Sequence, residues 1–222
     1  MYNFIYVFML FLIYSIIGWV VDIIGYFLDK HSFKNRGFLI GPYCPIYGVS
    51  SIFMIYCLGQ YKNDPVVLFV MSVLICSIME YLTSYIMEKL FHARWWDYTH
   101  LPFNINGRVC LRNSMMFGVL SLLLIKFINP FFDILLSTIS HSILIIIGLL
   151  FLCIFILDIC VSFNIINKLK ITTDNIRKDN TEEITKEVRD VLTKKSALSR
   201  RLIGAFPNFE AIGKKVTKLF DK

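Results

Sequence analysis

Long runs of apolar residues separated by short polar breaks occupy the chain as far as about residue 167. A helix needs about 20 mostly apolar residues to cross the hydrocarbon core of a bilayer, and runs of that order occur five times. The second run is short and begins among prolines, and the fourth either ends before the Asn129-Pro130 pair or continues through it. The predicted membrane-spanning helices cover residues 3–28, 45–61, 65–90, 114–128 or 114–136, and 143–165.

The composition supports this pattern, because 56% of the 222 residues are hydrophobic, against about 45–50% in soluble domains. The sequence therefore predicts an all-α, multi-pass protein of the cell membrane. Residues 168–222 contain 14 of the 23 Lys and Arg, so we divide the chain into a transmembrane helix bundle, 1–167, and a basic tail, 168–222. The first apolar run has no basic region or cleavage site before it, which indicates a retained span.

Basic residues in short loops predict the orientation, because cytoplasmic loops carry an excess of Lys and Arg. The loops after the first and third runs are basic, whereas the loop after the second run contains only Lys62 and the region at the end of the fourth run only Lys126. Five spans with the N-terminus outside and the tail in the cytoplasm fit every loop. The basic loop residues are Lys30, Lys34, Arg36, Lys89, Arg94, Arg108 and Arg112.

The tail is predicted to be partly helical. Asn180 and Glu183 have the spacing of a capping box, and an apolar stripe begins at Ile184. Three interpretations stay open: a solvated charged helix, a helix on the anionic inner leaflet of the membrane, and a contact between copies of the chain.

Several carboxylates fall inside the predicted spans, among them Asp22, Glu80, Glu88 and Asp158. An ionised group at the centre of a bilayer costs at least ~2.5–3.5 kcal/mol on insertion scales, so such residues usually face other helices or a water-filled cavity. Glu80 and Glu88 are eight residues apart, with Ser84 between them, and share one broad stripe of a helix. With the predicted orientation, the carboxylates of the first and third spans lie in the cytoplasmic half of the bundle.

Two polar segments adjoin these carboxylates. Residues 35–50 read NRGFLIGPYCPIYGVS, and their glycines and prolines favour a re-entrant or tightly packed element over a plain turn at the start of a helix. Residues 92–114 read HARWWDYTHLPFNINGRVCLRNS. We predict that this second segment folds back into the inner mouth of the bundle and that Arg108 pairs with Glu80 or Glu88. The predicted polar site comprises Asp22, Asn35, Arg36, Glu80, Glu88, Asp97, Asn104 and Arg108. The predicted interface anchors are Trp19, Trp95, Trp96 and Tyr98.

The residues alone leave the role of this site open among structural ion pairs, a substrate, ion or proton pathway, and catalysis. No Ser-His-Asp order, HExxH motif, nucleotide-binding loop or metal-ligand spacing is present in the sequence, so an enzyme is not favoured and no cofactor or metal is expected. The six cysteines form no CxxC pair and are expected to be free thiols.

The two polar segments resemble a known family. NRGFLIGPYCPIYG, followed by EYLTSYIMEKLFHARWWDYTHLPFNINGRVCLRNSMMFG, is similar to the small bacterial membrane proteins described as putative ABC-transporter type IV, CmpB-like, or as ABC transporter permeases. The resemblance covers roughly residues 10–165. Many relatives have GWxxE in the first span, where this chain has GWVVD with Asp22. The matching motif positions are Gly18, Trp19, Asn35, Arg36, Gly37, Gly41, Pro42, Pro45, Tyr47, Gly48, Glu80, Tyr81, Glu88, Trp95, Trp96, Asp97, Tyr98, Asn104, Gly107, Arg108 and Cys110.

The resemblance implies a permease-like transport component with a separate ATPase subunit. The small size of the helix bundle also suggests a homodimer. Membrane lipids are expected partners, and no binding of nucleic acid is expected. Two other functions stay open: an inner-leaflet lipid-binding protein or membrane enzyme, and a scaffold that recruits a cytoplasmic partner through its tail.

Overall fold

A computed structural model describes residues 2–31, 39–91, 93–94, 96–175 and 210–211, which form a helix bundle with short strands at one end. The all-α prediction is confirmed. The helices are α1 (Tyr2–Lys30), α2 (Pro45–Leu58), α3 (Pro65–Phe91), α4 (Leu111–Leu123), α5 (Asn129–Ser137) and α6 (His141–Asn175). The strands are β1 (Ala93–Arg94), β2 (Asn104–Ile105), β3 (Val109–Cys110) and β4 (Glu210–Ala211).

Four of the described helical segments are long and apolar enough to cross a membrane, and each overlaps a predicted span. The helix α2 has 14 residues, or about 21 Å at 1.5 Å per residue, which is shorter than a hydrocarbon core of about 30 Å. The chain is a membrane protein, and the count of five spans stays a prediction. The four segments are Tyr2–Leu28, Pro65–Leu90, Leu111–Ser137 and His141–Asn164.

The fourth segment passes through Pro130, so the longer of its two predicted forms is confirmed. Proline lacks an amide hydrogen, and in a regular α-helix its ring collides with the carbonyl four residues earlier. A π-helical turn, Leu124–Ile128, widens the helix just before this point and separates α4 from α5. The wider turn gives the proline room without ending the helical segment.

Proline also sets the beginning of α2. Pro45 occupies the first turn, where the missing amide hydrogen is not needed, and Cys44 before it is extended, with φ −117° and ψ 101°. The preceding residues pack inward, because Leu39, Tyr43 and Cys44 are all buried. The described part of the Gly- and Pro-rich segment is therefore tightly packed protein, as the sequence predicts.

Small residues bring neighbouring helices close together. Gly18 of α1 faces the ring of Tyr47 in α2, and Gly48 of α2 faces the side chain of Ser15, so a Cβ at either glycine would collide with its neighbour. Such contacts are typical of helix pairs in membranes, where close backbone approach replaces the hydrophobic effect.

The pair α3 and α4 follows the same rule. Gly118 packs against the ring of Phe69, and Ser77 donates a hydrogen bond of 2.8 Å to Ser114 across the interface. The outer faces are apolar: Ile146 and Leu157 of α6 are 68% and 65% exposed. Exposed apolar surface on this scale fits contact with lipid.

Two parts of the tail are described: residues 168–175, which are the end of α6, and residues 210–211, which form β4. The strand β4 pairs antiparallel with β1, so that Ala211 lies opposite Ala93 directly after α3. Residues 210–211 of the tail therefore lie at the same end of the bundle as the segment that joins α3 to α4.

Candidate functional site

The segment between α3 and α4 forms a β-hairpin at the end of the bundle where α1 and α3 end. In the hairpin, Asn104 lies opposite Cys110 and Ile105 opposite Val109. Asn106 and Gly107 have φ of 53° and 67°, a conformation that asparagine and glycine tolerate best. A Cβ at Gly107 would also collide with the carboxylate of Asp97.

Two of the predicted site residues stabilise this segment internally. Asp97 accepts hydrogen bonds from the amide of Thr99 at 3.0 Å and from its hydroxyl at 2.9 Å. Asn104 accepts one from the amide of Gly107 at 3.0 Å and donates one to the carbonyl of Leu101 at 2.7 Å. These contacts give both side chains a role in shaping the segment.

Arg108 is buried and joins the hairpin to α3. Its Nη1 atom lies 2.8 Å from Oε2 of Glu88. The guanidinium carbon also lies 5.6 Å from the ring centre of Tyr81 and 5.5 Å from that of Tyr85, within the range of cation–π attraction. The predicted pairing of Arg108 with a carboxylate of α3 is confirmed, and the partner is Glu88.

Further contacts fix the hairpin segment against the bundle. The side-chain amide of Asn106 donates a hydrogen bond of 3.0 Å to the hydroxyl of Tyr81. The hydroxyl of Tyr98 donates one of 3.2 Å to Glu80 of α3. Within the segment itself, the indole of Trp96 donates one of 3.0 Å to the carbonyl oxygen of Arg108. The predicted folding back of this segment onto the bundle is therefore confirmed.

Glu80 has fewer partners than Glu88. It is 7% exposed, and its Oε1 atom accepts a hydrogen bond of 3.2 Å from the hydroxyl of Tyr98. Its buried Oε2 atom receives no hydrogen bond from any residue in the described ranges. Since an ionised carboxylate can accept about four hydrogen bonds, Glu80 keeps capacity for another donor.

A cavity of about 620 Å³ adjoins Glu80, within the usual size range of small-molecule sites. It lies between α1, α2, α3, α4 and α6, and the hairpin segment contributes Trp96 and Tyr98. Asp22 and Glu80 supply its carboxylates, while most of its other side chains are apolar. The wall also includes Ile17, Tyr47, Met54, Cys76, Met79, Thr83, Met87, Phe117, Leu120, Ser121 and Phe155.

The structure distributes the other predicted residues as follows. Asp22 lines the cavity, whereas Asn35, Arg36 and Trp95 lie outside the described residues. Trp19 is half-buried on α1. The anchoring roles of the aromatic residues stay predictions. Over the described parts of the chain, no three His, Cys, Asp or Glu side chains are grouped so that they could hold a metal ion.

Asp158 of α6 has a position that sequence reasoning missed, although its location in a span was recognised. It accepts hydrogen bonds from the amides of Ile40 at 2.9 Å and Gly41 at 2.7 Å, from the hydroxyl of Tyr43, and from Ser162 at 2.9 Å. Burial, together with this hydrogen bond to Asp158, raises the pKa of Tyr43. Asp158 therefore ties the segment before α2 to α6.

A second network at the opposite end of the bundle was not predicted. Asp133 accepts a hydrogen bond of 2.7 Å from the hydroxyl of Tyr6 and one of 2.9 Å from the side-chain amide of Asn129. Asn129 in turn accepts one of 2.7 Å from the hydroxyl of Tyr14. The sequence signal was limited to the spacing of four residues between Asn129 and Asp133, which places both on one face of α5.

Comparison with known proteins gives a family. No curated protein and no solved structure matches the chain. The family described as "Putative ABC-transporter type IV" matches residues 9–163, which include the cavity, the hairpin and the aspartate of α6. With apolar helices of membrane-spanning length, this is a membrane protein of transporter type, and the chain belongs to the putative ABC-transporter type IV family.

Proposed function

We propose that this chain is a permease-like component of a transport system in the cell membrane and that its solute binds in the cavity beside Glu80. The observation that carries the proposal is the buried Oε2 atom of Glu80, which receives no hydrogen bond from the described residues and lies in the wall of a cavity of about 620 Å³. In this proposal the solute completes the hydrogen bonding of Glu80, and Asp22 lies in the same wall.

The hydrogen-bond count supports a binding role for Glu80. A buried polar group without a partner is destabilising, so each one in a native structure calls for an explanation, and a bound solute supplies one for Glu80. The neighbouring Arg108 does not supply a donor to Glu80, because its ion pair is with Glu88.

The hairpin supplies a means of changing the cavity. Trp96 and Tyr98 line it, and Trp96 also bonds to the backbone of Arg108. Movement of the hairpin away from α3 would therefore alter the wall beside Glu80. In this proposal, Asp97, Asn104 and Arg108 determine the position of that wall, and the orientation predicted from basic residues places it on the cytoplasmic side.

Blocking the cavity tests the proposal. Thr83 lines it one turn from Glu80, so Thr83→Phe places a ring in the space. The adjacent Leu82 is exposed on the outer face, which makes Leu82→Phe a matched control. Cells lacking the chain would be complemented with each variant, and their small-solute contents compared by untargeted mass spectrometry.

We expect the wild type and Leu82→Phe to change the cellular content of the same solute or solutes, and Thr83→Phe and Glu80→Gln to abolish the change. Immunoblots of membrane fractions should show equal amounts of every variant. The proposal fails if the wild type changes no solute, or if Thr83→Phe acts as the wild type does.

An ATP-driven system needs a separate ATPase, because this sequence has no nucleotide-binding loop of its own. We therefore propose an ATPase subunit as a partner. Purification of the tagged chain in mild detergent should recover a protein with a Walker A motif together with ATP hydrolysis. Recovery of the chain with no ATPase activity would contradict this partnership and leave the cavity assignment to the solute experiment.

Two copies of the chain would provide a larger bundle, and we propose a homodimer surrounded by membrane lipids. The apolar outer faces of the helices are large enough to contact either lipid or a second copy. Mass measurement of the protein in lipid nanodiscs should give twice the chain mass, and a single-chain mass would contradict the dimer.

A further inference from the structure

The charges around the cavity indicate what kind of solute it takes. Its described wall includes the carboxylates of Asp22 and Glu80 and no lysine, arginine or histidine. We propose that the cavity binds an amphipathic organic cation: a compact apolar body with one protonated amine, whose N–H group donates a hydrogen bond to Oε2 of Glu80. This inference rests on the proposed function, because it specifies the chemical class of the solute in the same cavity.

The Oε2 atom of Glu80 is the atom at which we expect the solute to donate a hydrogen bond. An ionised carboxylate can only accept hydrogen bonds, and the contact to Tyr98 engages the other oxygen, Oε1. The side chain is more than nine-tenths buried, which leaves little access for solvent. A protonated amine supplies both a donor and a compensating charge, and such charge-assisted hydrogen bonds are stronger than neutral ones.

The ion pair of Arg108 is with Glu88 and not with Glu80. The Nη1 atom of Arg108 lies 2.8 Å from Glu88, and its guanidinium lies near the rings of Tyr81 and Tyr85. Arg108 is absent from the described cavity wall. An anionic solute would therefore meet the carboxylate of Glu80 with no lysine, arginine or histidine in the described wall.

The rest of the wall suits an apolar body. Met54, Met79 and Met87 contribute thioether side chains, which adapt to ligands of different shape. Trp96 and Phe117 add aromatic rings, whose faces also attract cations. A cavity of about 620 Å³ has room for a body of some ten carbon atoms, since sites for drug-sized ligands span about 300–1,000 Å³.

Three probes of one shape separate charge from size: 1-adamantylammonium, 1-adamantanol and 1-adamantanecarboxylate. Full-length protein in phosphatidylcholine nanodiscs would be titrated with each probe by calorimetry, and binding to empty nanodiscs subtracted. We expect the ammonium probe to bind about tenfold more tightly than the alcohol, or better, and the carboxylate to bind more weakly than both.

Variants assign the binding to the cavity and to Glu80. Glu80→Gln should lower the affinity for the ammonium probe to about that for the alcohol. Asp133→Asn removes a carboxylate from the opposite end of the bundle, outside the described wall, and should keep the wild-type affinity. Thr83→Phe should abolish binding of all probes, and Leu82→Phe should not. Thermal unfolding of each variant verifies that it is folded.

The outcomes separate this inference from the proposed function. If the alcohol or carboxylate binds at least as tightly as the ammonium probe, or if Glu80→Gln keeps the ammonium affinity, the cavity still binds solutes but the cation inference is wrong. If no probe binds the wild type, the cation inference is wrong, and the solute-content experiment decides the proposed function separately. If Thr83→Phe binds as the wild type does, the ligand lies outside the cavity and both proposals fail.

Discussion

Asp158 and Glu80 are both carboxylates within long apolar helices, yet their surroundings differ. Asp158 accepts hydrogen bonds from two backbone amides, one tyrosine and one serine. Glu80 accepts one, from Tyr98 at 3.2 Å, and its Oε2 atom receives none from the part of the chain that the structure describes. Both residues interrupt an apolar sequence in the same way. They differ in the number of hydrogen-bond donors that contact the carboxylate.

This comparison separates a carboxylate that stabilises the bundle from one with capacity for a ligand. Hydrogen bonds to both of its oxygens account for Asp158, and the ion pair with Arg108 accounts for Glu88. Among the described residues, Glu80 has neither hydrogen bonds to both of its oxygens nor an ion pair with Arg108. Three substitutions test the distinction through the free energy of unfolding, measured by titration with sodium dodecyl sulfate in mixed micelles.

Arg108→Ala should have the largest effect. It removes the ion pair with Glu88 and the contacts to two tyrosine rings, and it leaves a carboxylate at the end of α3 without this partner. Breaking a buried ion pair from one side costs about 3–5 kcal/mol. We expect the free energy of unfolding to fall by roughly that amount.

The double variant Arg108→Ala with Glu88→Gln is the control for this prediction. It removes the charge that the single variant leaves behind, so it should recover part of the lost stability. An Arg108→Ala loss below about 1 kcal/mol, the level of an exposed pair, would show that the hairpin is not held in this way.

Asp158→Asn should have the next largest effect. An amide has one acceptor oxygen, and its NH₂ group would face donors that now approach a carboxylate oxygen. Hydrogen bonds to charged groups contribute about 1.5–3 kcal/mol each, and we expect a net loss of ~2–3 kcal/mol because Asp158 is partly exposed. Ser162→Ala, which removes one donor of the four, should cost less. Equal losses for the two variants would contradict the role of Asp158 in tying the segment before α2 to α6.

The sequence predicts much of the fold because span length and hydropathy are local properties. The first and third apolar runs correspond closely to α1 and α3, whereas the last run, 143–165, lies within α6, which continues to Asn175. The fourth was ambiguous at Pro130, because the composition around a proline does not show whether a π-helical turn will accommodate it. The length of α2 depends on where Pro45 starts the helix, and the hydropathy pattern did not resolve its end at Leu58.

The candidate site was predictable where its parts are near in sequence. Arg108 lies in the segment directly after α3, so the sequence left only Glu80 and Glu88 as the preferred partners for its ion pair. The choice of Glu88 follows from helix geometry: Tyr81, Tyr85 and Glu88 lie at i, i+4 and i+7 on one face, and Arg108 contacts all three.

Contacts between distant residues were not predictable in the same way. Asp158 bonds to backbone amides 117 and 118 residues earlier, and amides have no side-chain signature in a sequence. Asp133 bonds to a tyrosine 127 residues away. The cavity likewise depends on how five helices pack together, which no single hydropathy pattern specifies.

Glu80→Gln should have the smallest effect on the free energy of unfolding. It is directly comparable with Asp158→Asn, since both substitutions replace a carboxylate by its amide. Tyr98 can still donate to the amide oxygen, and the new NH₂ group takes the place of Oε2, which accepts no hydrogen bond from the described residues, so no observed contact is lost. We expect the free energy of unfolding to stay within about 1 kcal/mol of the wild type. A loss of 2 kcal/mol or more would show that Glu80 stabilises the fold as Asp158 does. The Oε2 atom of Glu80 would then no longer indicate a ligand-binding site.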